Sequence, residues 1–434
     1  MDCAKLNQQI KELEEEYRAF SEEMDNFTEY NPKKLQEFDS SLSELEKKRD
    51  EILKEHLDEI YEKNPELNNE WKFGEVIESG LGEIESSQLI TDENGKLTGI
   101  MAIGFAGKTS ILSQNENGEW KFGEVIESGL DYIFSSQPIM DENGKLTGIM
   151  AMDNCGRACM LSKNDANEWQ FGEVIDSELD GICIYSSQPI KDETGKTIGI
   201  MAMGYDGRAC MLSKNDANEW QFGEVIDSKL DDIYSSQPIK DESGKTIGIM
   251  AMDNCGRACM LNKNDANEWQ FGEVFGSELD GILSSQPILD ETGKMTGIMA
   301  MGVGGLASIL SQNENGEWQF GEVIDSKLGS IYSSQPILDE TGKTIGIMAM
   351  GRSGQACMLS KNDTNEWRFG KVIENIELSS ICSSQPIAEE NGKLTGIMAM
   401  DDHGQASVLS VSEKSVETLK QKLGEIIEKN SEKN

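Results

Sequence analysis

SSQPIKDETGKTIGIMAMGYDGRACMLSKNDANEWQFGEVIDSKLDDIY, residues 186–234, is one copy of a unit that fills most of the chain. Four short segments in it have strand character. SSQPI runs into an acidic turn with a glycine. GIMAM is a short apolar run. ACMLS follows a glycine-bounded turn, and EWQFGEV follows an Asn/Asp turn. Runs of this length between such turn residues are strands, and the short connections make them hairpins. The longer segment DSKLDD crosses to the next copy. Tryptophan counts the copies: Trp71, Trp120, Trp169, Trp220, Trp269, Trp318 and Trp367 lie 49, 49, 51, 49, 49 and 49 residues apart, each in Trp-x-Phe-Gly. Ser-Ser-Gln recurs in the same rhythm, ending at Gln88, Gln137, Gln188, Gln237, Gln286, Gln335 and Gln385. Residues 157–177 and 208–228 are identical, the mark of recent duplication. A fixed period of about 50 residues signals a repeat architecture.

The second strand of the unit identifies which one. In GIMAM, Ile149 and Ala151 lie on one face, and Met150 and Met152 on the other. A strand apolar on both faces is buried on both. Sheets packed face to face around an axis supply that environment. The expected fold is therefore an all-β seven-bladed β-propeller of four-stranded blades. The repeats begin in the fourth strand, at Trp71, and end in the third, near Ser410. A last blade completed by an N-terminal strand closes the ring and removes free edges. A β-solenoid, the competing arrangement, has no use for that phase.

Helical patterns flank the repeats. Leu6, Ile10, Leu13, Tyr17, Phe20, Met24 and Phe27 step by four and three, a heptad seam. Asn31-Pro32 caps a second helix with Leu35, Phe38, Leu42, Leu45 and Ile52 in its seam. Val416, Leu419, Leu423 and Ile426 form a third apolar stripe. The expected domains are a helical hairpin or coiled coil over 1–66, the propeller over 67–411 and an amphipathic helix over 412–434. The helices either cap the propeller or serve as oligomerisation or partner-docking arms.

Charge limits the partners. The chain has 39 basic and 79 acidic residues and a net charge of −40. Nucleic acid demands Lys/Arg density, and an anionic membrane repels such a chain, so neither is expected as a partner. No apolar run approaches a membrane span. The acidic, helical start is unlike a secretory signal, and nine cysteines, an odd number, suit a reducing compartment. These features predict a cytoplasmic location. Residues 1–70 carry 10 basic and 21 acidic groups, residues 411–434 carry 5 of each, and the repeats between carry 24 and 53. Most of the charge is thus one acidic motif set copied seven times, and it keeps a ring of apolar strands in solution.

The copies differ mainly in two places. The turn between the second and third strands, hereafter the variable turn, reads Gly104-Phe105-Ala, Asp153-Asn154-Cys, Gly204-Tyr205-Asp206, Asp253-Asn254-Cys, Gly302-Val303-Gly, Gly351-Arg352-Ser353 and Asp401-Asp402-His403. The crossover linkers between blades vary too, from ESGLGEIE to DSELDGICIY. Topology places both sets on one face, opposite the helical tails. Diversity on one loop face of a fixed scaffold is a common way to build a binding surface; tolerance of exposed loops is the alternative. Phe105, Asp153, Asn154, Tyr205, Asp206, Asp253, Asn254, Val303, Arg352, Ser353, Asp401, Asp402 and His403 are the candidate ligand- or partner-binding residues. The repeated Trp and Gln markers are first of all structural: Trp and Phe pack blades, with sugar stacking as the alternative, and the Ser-Ser-Gln triplets hydrogen-bond each other near the ring centre, with a ligand contact in each blade as the alternative.

Catalysis finds little support in the pattern. The two histidines, His56 and His403, stand far apart, and no phosphate loop appears. Asp401-Asp402-His403 is the local cluster to examine. Cys155/Cys159 and Cys255/Cys259 are isolated C-x-x-x-C pairs, without the second pair a zinc site requires. Met-x-Met in the second strands suits core packing better than Cu(I). The DENGK-type hairpins carry a lysine that offsets their affinity for Ca²⁺ and read as turns with glycine at positive φ. No cofactor or metal is expected.

Ser113-Gln-Asn-Glu-Asn-Gly-Glu-Trp120 resembles the Asp-box of sialidase-type propellers, with Asn for the Asp and the Gly displaced by one. GIMAMGYDGRACML resembles regulator-of-chromosome-condensation repeats, without their histidine and WG-x-N signatures. Tachylectin-type lectins are similar in repeat length, in near-identical copies and in forming a ring. These resemblances span residues 70–410 and imply the propeller fold alone. The expected function is non-enzymatic: a binding or scaffold protein that offers a variable loop face to a protein partner. The alternative is a multivalent lectin-like binder of glycans or small ligands with one site per blade.

Overall fold

The computed structural model describes residues 71–411, apart from 93, 177–182, 340, 363, 375–376 and 390–393. The expected helices over 1–66 and 412–434 lie outside the described residues. Residues Phe73–Leu409 form one compact unit. Its strands group into seven antiparallel sheets, each a meander from an innermost to an outermost strand. Blade three shows the plan, with strands Ile184–Lys191, Thr197–Gly204, Arg208–Lys214 and Trp220–Asp227. In blade seven the strands Ile381–Ala388, Leu394–Asp401 and Gln405–Val411 are completed from the N-terminal side of the repeats. There Ile77 and Glu78 pair with Ala406 and Gln405, and the Gly74 amide donates to the Val408 carbonyl at 2.8 Å. The ring is closed as the phase of the repeats requires.

The core lies between blades. Ile100 and Ala102 of blade one pack against Met398, Met400 and Ala406 of blade seven. Met101 and Ile103 of the same strand pack against Ile149, Ala151 and Leu161 of blade two. The two apolar faces of this strand, GIMAI here and GIMAM in the other copies, thus serve two different interfaces, and these side chains are fully buried. Trp169 and Phe171 join the cleft between blades one and two, and Trp220 and Phe222 join the next one. Trp-x-Phe therefore wedges each outer strand against the preceding blade. Each fully buried Ile or Met of these second strands contributes about 1.5–3 kcal/mol, and the half-buried Trp and Phe contribute less.

Hairpins on the face opposite the variable turns are Asx turns. Asp141 Oδ1 accepts from the Asn143 and Lys145 amides, and Asn115 Oδ1 makes the same two bonds to Asn117 and Glu119. The hairpin glycines, such as Gly195 at φ 85°, take the left-handed conformation this turn needs.

Candidate functional site

The seven Ser-Ser-Gln triplets line the central channel on the innermost strands and belt the ring together. The first serine of each triplet bonds to the second serine of the next blade, oxygen to oxygen at 2.6–2.8 Å, from Ser86–Ser136 around to Ser383–Ser87. Each glutamine Nε2 donates to the carbonyl of that second serine at 2.7–2.9 Å, from Gln88 to Ser136 around to Gln385 to Ser87. An amide facing a carbonyl must present its nitrogen, so this orientation follows from the chemistry. It leaves the glutamine oxygens as acceptors, with no intramolecular donor to them among the described residues.

Just before each triplet the innermost strand bulges. Ile84 pairs with Gly104 and Ser86 with Ile103, so Glu85 is an extra residue, and every blade repeats the shift. A bulge re-aims the inserted side chain. The inserted residues are Glu85, Phe134, Tyr185, Tyr234, Leu283, Tyr332 and Cys382. Phe134, Tyr185, Tyr234 and Leu283 line a cavity of about 220 Å³ in the channel, together with triplet residues of blades one to five. Tyr185 and Tyr234 stack at 4.6 Å with planes 7° apart, and Phe134 meets Tyr185 edge-on at 5.5 Å. Burial and the neighbouring Tyr234 raise the Tyr185 hydroxyl to about 12. Burial, then Glu83 and Asp402, raise the Glu85 carboxyl. Burial, then Glu85 and Asp402, push the Cys382 thiol up to about 12. One side of the mouth is therefore aromatic and another acidic.

The variable turns surround this mouth and are tied to the linkers. Asn154, Asn254, Arg352 and Asp402 donate their amides to linker carbonyls of Tyr132, Asp232, Ser330 and Ser380, and Tyr205 and Val303 to those of Cys183 and Gly281. The turns and linkers thus form one layer on one face. Six of them fall into two types, and blade six differs from both: its turn begins with Gly351, has no 3₁₀ turn and would hold a Cβ with 3.6 Å to the nearest atoms. In blades two, four and seven the first residue is an aspartate with no exposure at all: Asp153, Asp253 and Asp401. Asp253 accepts the amides of Cys255, Arg257 and Asp231 at 2.8–3.0 Å and Arg257 Nε at 2.8 Å. These three aspartates staple their turns from within and expose no side-chain surface. In blades one, three and five the first residue is glycine, followed by a 3₁₀ turn at Phe105–Gly107, Tyr205–Gly207 and Val303–Gly305. A Cβ on Gly204 would sit 1.6 Å from the Cys183 carbonyl oxygen, so this type excludes the aspartate. Asp206 adopts φ 56° there. Tyr205 and Val303 are exposed, Arg352 and Ser353 lie at the surface, and Asn154 and Asn254 are half-buried.

Blade seven brings Ser379 to Asp401, Asp402 and His403. The Ser379 hydroxyl lies 2.6 Å from His403 Nδ1 and contacts Asp402 Oδ1, which is itself 2.9 Å from the same Nδ1. A nucleophilic relay needs serine and carboxylate on opposite ring nitrogens; here both meet one nitrogen. Burial would raise the Asp402 carboxyl, but bonds from Ser379 and His403 outweigh it and hold it low. Asp131, Asp153 and Cys155 converge similarly, but Arg157 pairs with both carboxylates, at 2.9 and 2.6 Å. Cys159, Cys210, Cys259 and Cys357 are buried, each with its thiol pushed up to about 11 by burial.

The sequence pattern hid two things. Asp-x-x-Gly at the start of three variable turns is an Asx-turn signature, masked by the sequence diversity of these turns. The residue before Ser-Ser-Gln read as the end of a linker, because a bulge breaks the alternation that would have aimed it. No helix among the described residues is long and apolar enough to cross a membrane. No protein-family model matches the chain, and no curated protein is similar to it.

Proposed function

We propose that the chain is a non-enzymatic binding or scaffold protein whose propeller presents its loop face to a single protein partner. One observation carries this reading: the blades differ chiefly on one face and at the channel mouth beside it. The invariant residues are used internally, in the Ser-Ser-Gln belt, the Trp-x-Phe wedge and the Asx hairpins. Residues that differ from blade to blade make one asymmetric surface per ring. A lectin with one site per blade would need an equivalent free surface in each blade. The repeated tryptophans fit that role poorly, since Lys163, Lys214, Lys263 and Lys361 lie over the rings of Trp169, Trp220, Trp269 and Trp367 at 5.5–5.8 Å. The terminal segments, read as helices, serve as oligomerisation or docking arms, and the cell interior is the proposed compartment. A swap tests the reading: giving all seven variable turns the Gly302–Gly305 sequence, with matching linkers, abolishes partner binding while the ring stays folded. Retained binding in a folded swap refutes it.

A further inference from the structure

The channel mouth has a chemistry of its own. The seven bulged positions carry five residue types in strands that are otherwise near-identical, and four of them, Phe134, Tyr185, Tyr234 and Leu283, line its cavity. Drift alone does not explain a stacked set: Phe134, Tyr185 and Tyr234 are consecutive around the ring and touch. Asp232 lies close enough to affect both tyrosines. Glu85 stands at the equivalent position on the blade next to Phe134. Below them the channel wall offers glutamine oxygens whose amide nitrogens are already committed to the next blade. Aromatic rings, carboxylates and spare acceptors make a surface for a group that only donates hydrogen bonds, is positively charged and has a flat face. A guanidinium has five donors, no acceptor and a planar face that stacks on aromatic rings. An ammonium lacks that face.

We propose that the channel mouth on the loop face is a single binding site for an arginine guanidinium carried by the protein partner. This rests on the single-partner reading and names the chemistry the partner presents. The arginine stacks on the aromatic arc of blades two to four, and its N–H groups meet the glutamine oxygens and the flanking carboxylates. The broken seven-fold symmetry makes the site one per ring. The net charge of −40 draws a cationic partner toward the ring at low salt.

The test uses the full chain and acetyl-Gly-Arg-Gly amide as the probe, followed by calorimetry or by chemical-shift titration. The expected result is saturable binding at one peptide per chain, weaker for the lysine peptide and absent for the norleucine peptide. Tyr185→Leu/Tyr234→Leu and Glu85→Leu each weaken it about tenfold. These variants introduce the residue that blade five already carries at Leu283, so the ring tolerates them, and unchanged melting temperatures verify it. Glu219→Gln, on the opposite face, removes a charge and leaves binding unchanged. Several equivalent sites, an equal response to the lysine peptide, or full binding by the folded leucine variants overturns the proposal. If the arginine peptide fails to bind while the turn swap still abolishes partner binding, the channel site falls and the loop-face reading stands.

Discussion

Asp253→Ala is the sharpest test of how the variable turns are built. Asp253 is fully buried and holds three backbone amides, of Asp231, Cys255 and Arg257, together with Arg257 Nε. Hydrogen bonds to a charged group contribute about 1.5–3 kcal/mol each. Removing the carboxylate does not forfeit them all in full, because the Arg257 side chain is about a third exposed and turns to water, and Cys255 is exposed as well. The amides of Asp231 and Arg257 bear most of the loss, giving a destabilisation of about 3 kcal/mol. Asp253→Asn keeps an acceptor for two amides and loses the ion pair, for about 1–2 kcal/mol. The reverse change, Gly204→Asp, fails for another reason, since its Cβ collides with the Cys183 carbonyl. Urea unfolding read by tryptophan fluorescence measures the changes, and amide exchange at Asp231, Cys255 and Arg257 localises them. An Asp253→Ala chain within about 1 kcal/mol of the parent, with those amides still protected, refutes the internal-staple account.

Other predictions follow from the same geometry. Asp141, Asp192, Asp241, Asp290 and Asp339 have carboxyls held below the ordinary 3.8, led by a backbone amide at Asp141 and by hydroxyls of Thr194, Ser243, Thr292 and Thr341 at the others. Lowered folded values mean that their stabilisation is present above pH 3.8 and is lost as pH falls through the folded values. Changing all five to Asn, which already serves the same turn at Asn115, flattens the acid limb of urea midpoints measured from about pH 5 to 2.5. A neutral-pH alkylating reagent labels Cys155 and Cys255 in the native ring and spares Cys159, Cys210, Cys259 and Cys357 until urea unfolds it, as mass spectrometry of the labelled peptides reports. Met250→Ala leaves a void between blades four and five and costs about 2–5 kcal/mol in the same urea assay. Sedimentation of the chain with and without residues 1–66 tests the arms: loss of an oligomer on truncation supports them, and a monomer in both removes the oligomerisation role.

Repetition made most of the fold legible. The Trp spacing counted the blades, GIMAM announced two buried faces, and the phase of the first and last copies located the closing strand. The first two are short-range patterns repeated from copy to copy, and the third is the offset between the two ends of the array. The face shared by turns and linkers was legible for the same reason, since strand direction in a four-stranded meander fixes it. The roles of Asp153, Asp253 and Asp401 were not, because burial of a turn carboxylate depends on where the neighbouring linker runs. Nor was the channel mouth: Glu85, Phe134 and their counterparts face the axis through a bulge, and a bulge is a property of two paired strands.

The proposed binding role requires one asymmetric site per ring rather than seven equivalent ones. Native mass spectrometry of the full chain saturated with a partner isolated from the source cell measures this directly. One partner molecule per ring is expected, lost when the variable turns are made identical. Binding of several molecules to equivalent sites, or one-to-one binding that survives the symmetrised turns, would contradict it.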